Sequence, residues 1–529
     1  EHLGGYSCRF DEFGHLLWRP LGAGVTVLAH DVREGAPGAR VVLLRLDALA
    51  TVFGFGAVAA LSAWLYLAAP PLGGAVVGVA LLLAGKAFLN FSQVGASYVP
   101  ALALLSLGLL LLWRAAERER GRAPRALAGG CALSLSVLFW APFALAVPGA
   151  LLSALVLRGA SRRVVAATLH ATAGAAVTGA AALSWAAWEL RLGSVAELRE
   201  WMGDASHGID LIGGAPRAVI GLARSVVHLG DLGTTVKRYL LSDPLAPASL
   251  GDVLGLDLAL LAAFYAFALA CVVLAARSGF GRGALGMFLL TAGPVGWFAV
   301  SWQGGDLERY LPLLPALCLT AAVGFSNGER YRTVRLGAWA FLALVLVVNA
   351  NQMLTWRLRA AQADVRERLE AAADPDRPRV LVVVTHQDPL WQLGRNHPQA
   401  LDPYPGTAVA YLLLPGTPQV ETWRESFAAR ALWAWEEGVE MRLSERLLAE
   451  TPTAGADWIE GDDPRVGWAD VRGFVATLDV DRERGASGDG FVRLDENPEN
   501  RARLEEAAAR LGAAGGVAPP CRFPPRAAP

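Results

Sequence analysis

The feature that most constrains this chain is a series of uninterrupted apolar runs between positions 46 and 356. Each is near the roughly 20 residues that a helix needs to cross a bilayer. The runs lie at 46–68, 72–89, 98–113, 126–157, 164–188, 253–276, 284–302, 311–325 and 336–356. The run at 126–157 is long enough for two short crossings broken near Pro142, which makes ten spans. Composition agrees, with 54% hydrophobic and only 18% charged residues, against about a quarter charged in soluble domains.

The arginines orient these spans. Arg114, Arg118, Arg120, Arg122 and Arg125 fill one short connection, and Arg158, Arg162 and Arg163 a second. Arg277 and Arg282 mark a third, and Arg330, Arg332 and Arg335 a fourth. With ten spans all four connections fall on one face, which the positive-inside rule makes cytoplasmic. A single crossing at 126–157 would place arginine loops on both faces. Segment 1–45, loop 190–252, the short loop 303–310 and the tail after 357 then lie outside. The chain begins with Glu1 and no signal-peptide pattern, and a further apolar span is expected ahead of it. Of the 47 basic residues only Lys86 and Lys237 are lysine, and with the richness in Ala, Gly and Leu this suggests GC-rich bacterial coding. The expected location is thus a bacterial inner (cytoplasmic) membrane.

The expected fold class is mainly α: a polytopic helical membrane protein with a small C-terminal α/β extramembrane domain. Residues 1–45 form a first outer loop, and 46–356 the transmembrane domain with a large outer loop at 190–252. A charged amphipathic helix at 357–374 leaves the membrane and leads to an outer α/β domain at 375–515. Within it, 379–385 and 407–414 read as strands and 422–437 and 500–511 as helices. The Pro/Ala-rich end at 516–529 is expected to be disordered. Cys131, Cys271 and Cys318 fall inside apolar runs, as buried thiols do. Cys8 and Cys521 share an outer location, and nothing in the spacing pairs them.

Several function classes lose support. A net charge of −1 leaves no basic footprint for nucleic acid. Walker, dinucleotide-binding, HExxH and GxSxG patterns are absent. The spans lack the broken, charge-bearing helices and matched halves of many secondary transporters.

Polar groups near the outer ends of spans are the candidates for chemistry. The segment Arg9-Phe-Asp11-Glu12-Phe-Gly-His15-Leu-Leu-Trp18-Arg19-Pro20 combines adjacent carboxylates with a histidine and an aromatic–arginine pair. A carboxylate there could take the proton of an acceptor hydroxyl; the competing reading is a solvated loop whose acids cap a helix starting near Phe13. Lys86 sits near the outer end of the second span, followed by Asn90, Ser92 and Gln93. An ionisable residue at that depth is a functional candidate, although a lysine can also snorkel to headgroups. Arg309 and Tyr310 enter a span that carries Pro312 and Pro315. Arg309 could grip a phosphate by charge-assisted hydrogen bonds, or the pair could be an interfacial anchor. The loop 190–252 holds Glu197, Trp201, Asp204, His207, Asp210, His228, Lys237, Arg238 and Tyr239, none singled out by pattern. His170 reads as a satisfied histidine within a span, and His386 has no supporting partner in the sequence.

This arrangement resembles the membrane glycosyltransferases of the GT-C fold, the class of the protein mannosyltransferases and lipid A aminoarabinose transferases. Asp11-Glu12 occupies the place of the catalytic carboxylate in that class. The spans from 46 to 157, one opening on Tyr98-Val-Pro100, resemble its membrane core. Glu308-Arg309-Tyr310-Leu-Pro-Leu-Leu-Pro315 resembles its late RYLxxxxP-type span. The resemblance covers residues 1 to about 356 and leaves out the tail. It implies a polyprenyl-phosphate sugar donor and a lipid, glycan or protein acceptor, with membrane lipids as surroundings. It implies Asp11 or Glu12 as the base, and His15, Arg19, Lys86, Arg309 and Tyr310 around the substrate. Some members of the class take a divalent metal, Mg or Mn, and others none; the sequence offers no ligand set that decides. The run His15-Leu-Leu-Trp18-Arg19-Pro20 departs from the well-known subfamilies and makes His15 the reserve base. The rival functions are a transporter or flippase of a lipid-linked substrate, and a non-enzymatic membrane scaffold.

Overall fold

The computed structural model describes residues 15–28, 39–69, 72–204, 214–230, 232–241, 248–301, 304–358, 380–384, 407–411, 423–448, 468–481 and 491–513. Ten helices answer to the ten apolar runs. They are α2 (Ala39–Ala68), α3 (Leu72–Ala84), α5 (Tyr98–Glu117), α6 (Arg122–Phe139), α7 (Val147–Arg158), α8 (Arg162–Glu189), α13 (Leu256–Ala275), α14 (Gly279–Ser301), α15 (Leu314–Gly328) and α16 (Arg332–Leu358). Among the described residues eight helical stretches are long and apolar enough to cross a membrane. Leu72–Ala84 is a shorter apolar helix, and α6 opens on arginines. Short helices join them: α1 (Trp18–Leu28), α4 (Lys86–Phe91), α9 (Val195–Asp204), α10 (Ala215–Val226), α11 (Leu232–Leu241) and α12 (Leu250–Val253). The stretches 1–45 and 190–252 thus contain helices of their own. The first begins at Trp18, five residues after the expected start near Phe13.

Helices serve here because hydrocarbon offers no partner for a backbone N–H or C=O, so each segment must satisfy its own. Where a span breaks, something else has to supply those bonds. The run 126–157 does split in two. Helix α6 ends at Phe139, Trp140 is extended (φ −152°, ψ 110°), and a 3-10 turn at Ala141–Leu145 leads into α7. Pro142 and Pro148 stand in the first turns of the two segments that follow the break, where a missing N–H costs nothing.

A second break was not expected. Helix α3 stops at Ala84, Gly85 is extended (φ −65°, ψ 130°), and α4 restarts at the buried Lys86. The sequence reading that no span is broken and charge-bearing is corrected here: the Ala-Gly-Lys run contains no proline, and the break is stabilised from outside the segment. Asn349 of α16 donates Nδ2 to the Ala84 carbonyl at 2.7 Å and to the Val226 carbonyl at 2.8 Å. Its Oδ1 accepts the His228 backbone N–H at 2.8 Å. One fully buried amide therefore satisfies backbone groups at the ends of α3 and α10.

The arginine-bearing connections gather at one end of the bundle. Arg158 pairs with Glu117 at 3.3 Å, Arg163 with Glu119 at 3.7 Å, and Arg158 lies 4.0 Å from the Trp113 ring centroid. Trp113 meets Phe280 edge-on, and Asn327 donates to the Leu274 carbonyl and to Ser278 Oγ, each at 3.0 Å. Of the sequence candidates, Lys86, Arg309 and Tyr310 lie at the opposite end, on α4 and the segment Leu307–Leu313.

Helices α6 and α8 approach closely because small residues face each other. A Cβ added at Gly130 would overlap the Ala171 carbonyl, and one at Gly174 the Leu127 carbonyl. Backbone proximity of this kind replaces the hydrophobic drive that lipid cannot supply. Gly130→Val is expected to cost about 1–3 kcal/mol by overpacking. The check is a lowered melting temperature of detergent-extracted protein followed by size exclusion, and an unchanged melting point would contradict the packing described.

Beyond the spans, β1 (Val380–Val384), β2 (Thr407–Tyr411), β3 (Glu440–Ser444), β4 (Val480–Asp481) and β5 (Phe491–Leu494) form a sheet of order β2-β1-β3-β5-β4. Strand β1 runs parallel to β2 and β3, and β5 is antiparallel to β3 and β4. The sequence Val-Leu-Val-Val-Val of β1 is buried throughout, as a central parallel strand requires. Helices α17 (Trp423–Glu436) and α19 (Pro498–Ala513) pack on each other, and α18 (Trp468–Val475) adds Val471 and Val475 to the same core. The charged helix expected at 357–374, the end at 516–529, Cys8, Cys521 and His386 lie outside the described residues, apart from 357 and 358, which end α16.

Candidate functional site

Three short elements build the end of the bundle opposite the arginine-bearing connections: α4, α10 and the 3-10 segment Leu307–Leu313 that opens α15. All three pack on one another. Pro312 and Pro315 lack N–H groups and stand in or just after this segment, which suits a tight turn ahead of a span. The segment presents Arg309 and Tyr310, both buried at 8% and 2% exposure.

The Arg309 guanidinium lies 3.7 Å from Asp306 and 3.9 Å from Glu308. Those pairs are looser than the about 2.8 Å of a fork-to-fork arginine–carboxylate pair. Aromatic walls complete its surroundings, with the Trp140 ring centroid at 5.8 Å and that of Phe298 at 5.6 Å. Two carboxylates and two aromatic rings thus surround the buried guanidinium. The neighbouring Tyr310 has another task. Its hydroxyl lies 2.8 Å from the Ala218 carbonyl and 2.7 Å from the Gly304 carbonyl, which share its proton.

Helix α10 lies across this end and is tied down at several points. Besides Tyr310, Tyr265 of α13 donates to the Val219 carbonyl at 2.7 Å, and Gly214 N–H donates to the Val300 carbonyl at 2.8 Å. Gly221 meets the Gly304 carbonyl so closely that a Cβ would overlap it. Tyr310→Phe is expected to remove about 1 kcal/mol of stability, with little change in the activity of the folded fraction. Its thermal unfolding, compared with activity per folded molecule, checks this; a large loss of activity at unchanged stability would give the hydroxyl a chemical role.

Lys86 is buried at 7% exposure, and its Nζ donates to His228 Nδ1 at 2.6 Å. An ammonium has only donors, so a lysine charged here donates to Nδ1. His228 belongs to the connection after α10, held by the Asn349 contact already described.

The segment that begins at His15 arrives beside the same end. His15 Nδ1 lies 2.8 Å from Ser97 Oγ, Trp18 Nε1 donates to the Gly95 carbonyl at 3.2 Å, and Leu17 N–H donates to the Leu138 carbonyl at 3.0 Å. From His15 an aromatic path leads inward. The His15 and Tyr98 rings are 6.3 Å apart, Tyr98 meets Trp140 edge-on at 4.7 Å, and Trp140 faces Arg309. Tyr98 also meets Phe91 of α4 at 4.8 Å. The structure places Lys86, Arg309 and Tyr310 on short segments that pack on one another, and links His15 to Arg309 only through the rings of Tyr98 and Trp140. Asp11 and Glu12 lie outside the described residues. So does the side chain of Arg19, whose backbone is in α1.

Of the loop residues weighed from the sequence, only His228 joins this cluster among the described ones. Glu197 instead accepts from the Gly193 N–H at 2.8 Å and from Ser194 Oγ at 3.1 Å, and Trp201 packs with Leu16, Leu138 and Ala186. His207, Asp210 and the side chains of Asp204 and Lys237 lie outside the described residues. His170 lies 2.6 Å from the Ala166 carbonyl one turn back on its own helix. Trp140, Phe298 and Asn349 were missed because their partners are distant in sequence. Trp140 follows a run that ends in Phe139, an aromatic pair that could have marked it. A cleft at the outer end of α8, lined by Ala187, Trp188, Glu189, Arg191 and Leu192, contains none of these residues. Among the described residues no group of three His, Cys, Asp or Glu has a metal-holding arrangement.

No protein-family model matches the chain, and no curated protein matches it. Solved structures similar to it include the oligosaccharyltransferase of Archaeoglobus fulgidus in the apo form, at 14% identity and TM-score 0.43, over 86% of this chain and 64% of that one. The same archaeal protein in complex with Zn and sulfate gives 15% identity and TM-score 0.45, over 85% of this chain and 62% of that one. The chain thus spans less than two thirds of the archaeal protein. ArnT from Cupriavidus metallidurans bound to undecaprenyl phosphate gives 14% identity and TM-score 0.41, over 91% of this chain and 88% of that one.

Proposed function

We propose that this chain is an integral membrane glycosyltransferase, moving a sugar from a polyprenyl-phosphate donor to an acceptor hydroxyl or amine on the outer face of the membrane. The observation that carries the reading is the pair of buried cations, Lys86 and Arg309, on two short segments packed together at the end opposite the arginine loops. Burying a charge costs several kcal/mol, and an anionic ligand beside Lys86 and Arg309 would add to the compensation that His228, Asp306 and Glu308 give them. A lipid-linked phosphate presents its charge at this depth and leaves its tail among the helices.

In the reaction the acceptor oxygen or nitrogen attacks the anomeric carbon. The bond from that carbon to the phosphate oxygen breaks, and the phosphate leaves with the bonding electrons. Arg309 and Lys86 stabilise the charge that grows on it, a gain largest where water is excluded. The acceptor's proton passes to Asp11 or Glu12. These stand four and three residues before His15, so chain length alone keeps them within about 14 Å of its position. His15 is the reserve base, Arg19 completes the surroundings of the substrate, and Tyr310 holds the Arg309 segment against α10. The same cations would serve a flippase of a lipid-linked substrate, and the charge-bearing break at Gly85 favours that second reading.

The two readings separate on chemistry. Protein reconstituted with a panel of polyprenyl-phosphate sugars and membrane acceptors is expected to release free polyprenyl phosphate, read by mass spectrometry. Movement of intact donor between leaflets without release would overturn the proposal in favour of transport.

A further inference from the structure

Resting on that reading, we infer that His228 is a positioning residue: it aims the Lys86 ammonium at the lipid phosphate and is itself set in place by Asn349 of α16. Three observations carry this. The lysine stands at the restart of a broken span, where the Gly85 turn and not a continuous helix directs it. The His228 ring takes one ammonium proton at 2.6 Å. The backbone of His228 is fastened by Asn349, whose other bonds hold the Ala84 carbonyl beside the same break. One amide thereby links the lysine's helix to the histidine's loop.

The choice of partner matters chemically. A carboxylate at that distance would orient the lysine and also cancel its charge. A neutral imidazole orients it by a hydrogen bond and adds no negative charge of its own. Tyr310, which ties α10 to the Arg309 segment, keeps the histidine's loop and the second cation in one frame.

The test is binding of farnesyl phosphate, with farnesol as the uncharged control, to full-length protein in nanodiscs. Wild-type protein is expected to prefer the phosphate. His228→Ala should weaken that preference about tenfold or more, the usual worth of a hydrogen bond to a charged group. His228→Gln, whose side-chain oxygen can accept from the ammonium, should restore most of it, and His228→Leu should not. Lys86→Ala combined with His228→Ala should bind no worse than Lys86→Ala alone, since the histidine acts through the lysine. Melting temperatures of each variant separate loss of fold from loss of aim. Inorganic phosphate at the same concentration is expected to leave the lipid bound, and displacement would overturn the lipid as occupant. Full preference in His228→Ala, equal behaviour of the Gln and Leu variants, or multiplied losses in the double variant would each overturn the positioning role while leaving the phosphate site standing. A wild type with no preference for phosphate over alcohol would overturn the site reading and this inference with it.

Discussion

Arg309→Ala is expected to lower sugar transfer by roughly 10²–10³-fold, the usual cost of removing a donor aimed at charge that develops in the transition state. Arg309 is buried, walled by Trp140 and Phe298, and only loosely paired with Asp306 and Glu308. Its removal leaves the leaving phosphate facing the remaining carboxylates and Lys86 alone. Arg309→Lys keeps the charge and loses the planar fork, so a smaller loss is expected, since lysine acts as a point charge. An interfacial anchor would behave differently: both variants would lower yield and melting temperature, while each folded molecule kept full activity. Activity per folded, monodisperse molecule distinguishes the two, and full activity in Arg309→Ala would remove this residue from the mechanism.

Alanine at both Asp11 and Glu12 is expected to cost about 10²–10⁴-fold, the range of general base catalysis. One of the single variants should account for nearly all of it, and Asn or Gln at that position should fail equally, because an amide cannot take the proton. The donor KM should stay near wild type, since the base acts on the acceptor and the phosphate is held elsewhere. His15→Ala provides the contrast. Its Nδ1 is engaged with Ser97 Oγ, so its loss is expected to disturb the docking of α1 more than the chemistry. Intact transfer in the double alanine variant, with loss in His15→Ala, would move the base to the histidine.

The membrane part was legible in the sequence because a bilayer imposes length and apolarity residue by residue. Arginine parity even divided the run 126–157, and the structure breaks it at Trp140. The break at Gly85 was not legible. No proline marks it, and the amide that satisfies Ala84 lies 265 residues away. The Lys86–His228 contact spans 142 residues, so no local pattern could single out that histidine from its loop. In the tail, the β-branched run of β1 and the helical periodicity of α17 and α19 were readable. Strand β3, Glu-Met-Arg-Leu-Ser, alternates charged and apolar residues and is a strand because β1 and β5 pair with it. Candidate residues at span ends could be named from the sequence; the aromatic path from His15 through Tyr98 and Trp140 to Arg309 needed the fold.

The measurement that tests the central claim most directly is transfer in sealed vesicles of known sidedness. Full-length protein is given radiolabelled polyprenyl-phosphate sugars, with acceptor supplied to one face at a time. The account predicts that label leaves the lipid and appears on acceptor only at the face opposite the arginine loops. It further predicts that Arg309→Ala and the Asp11/Glu12 double alanine variant abolish this transfer. Transfer at the arginine face, or no transfer from any donor by correctly inserted protein, would contradict it.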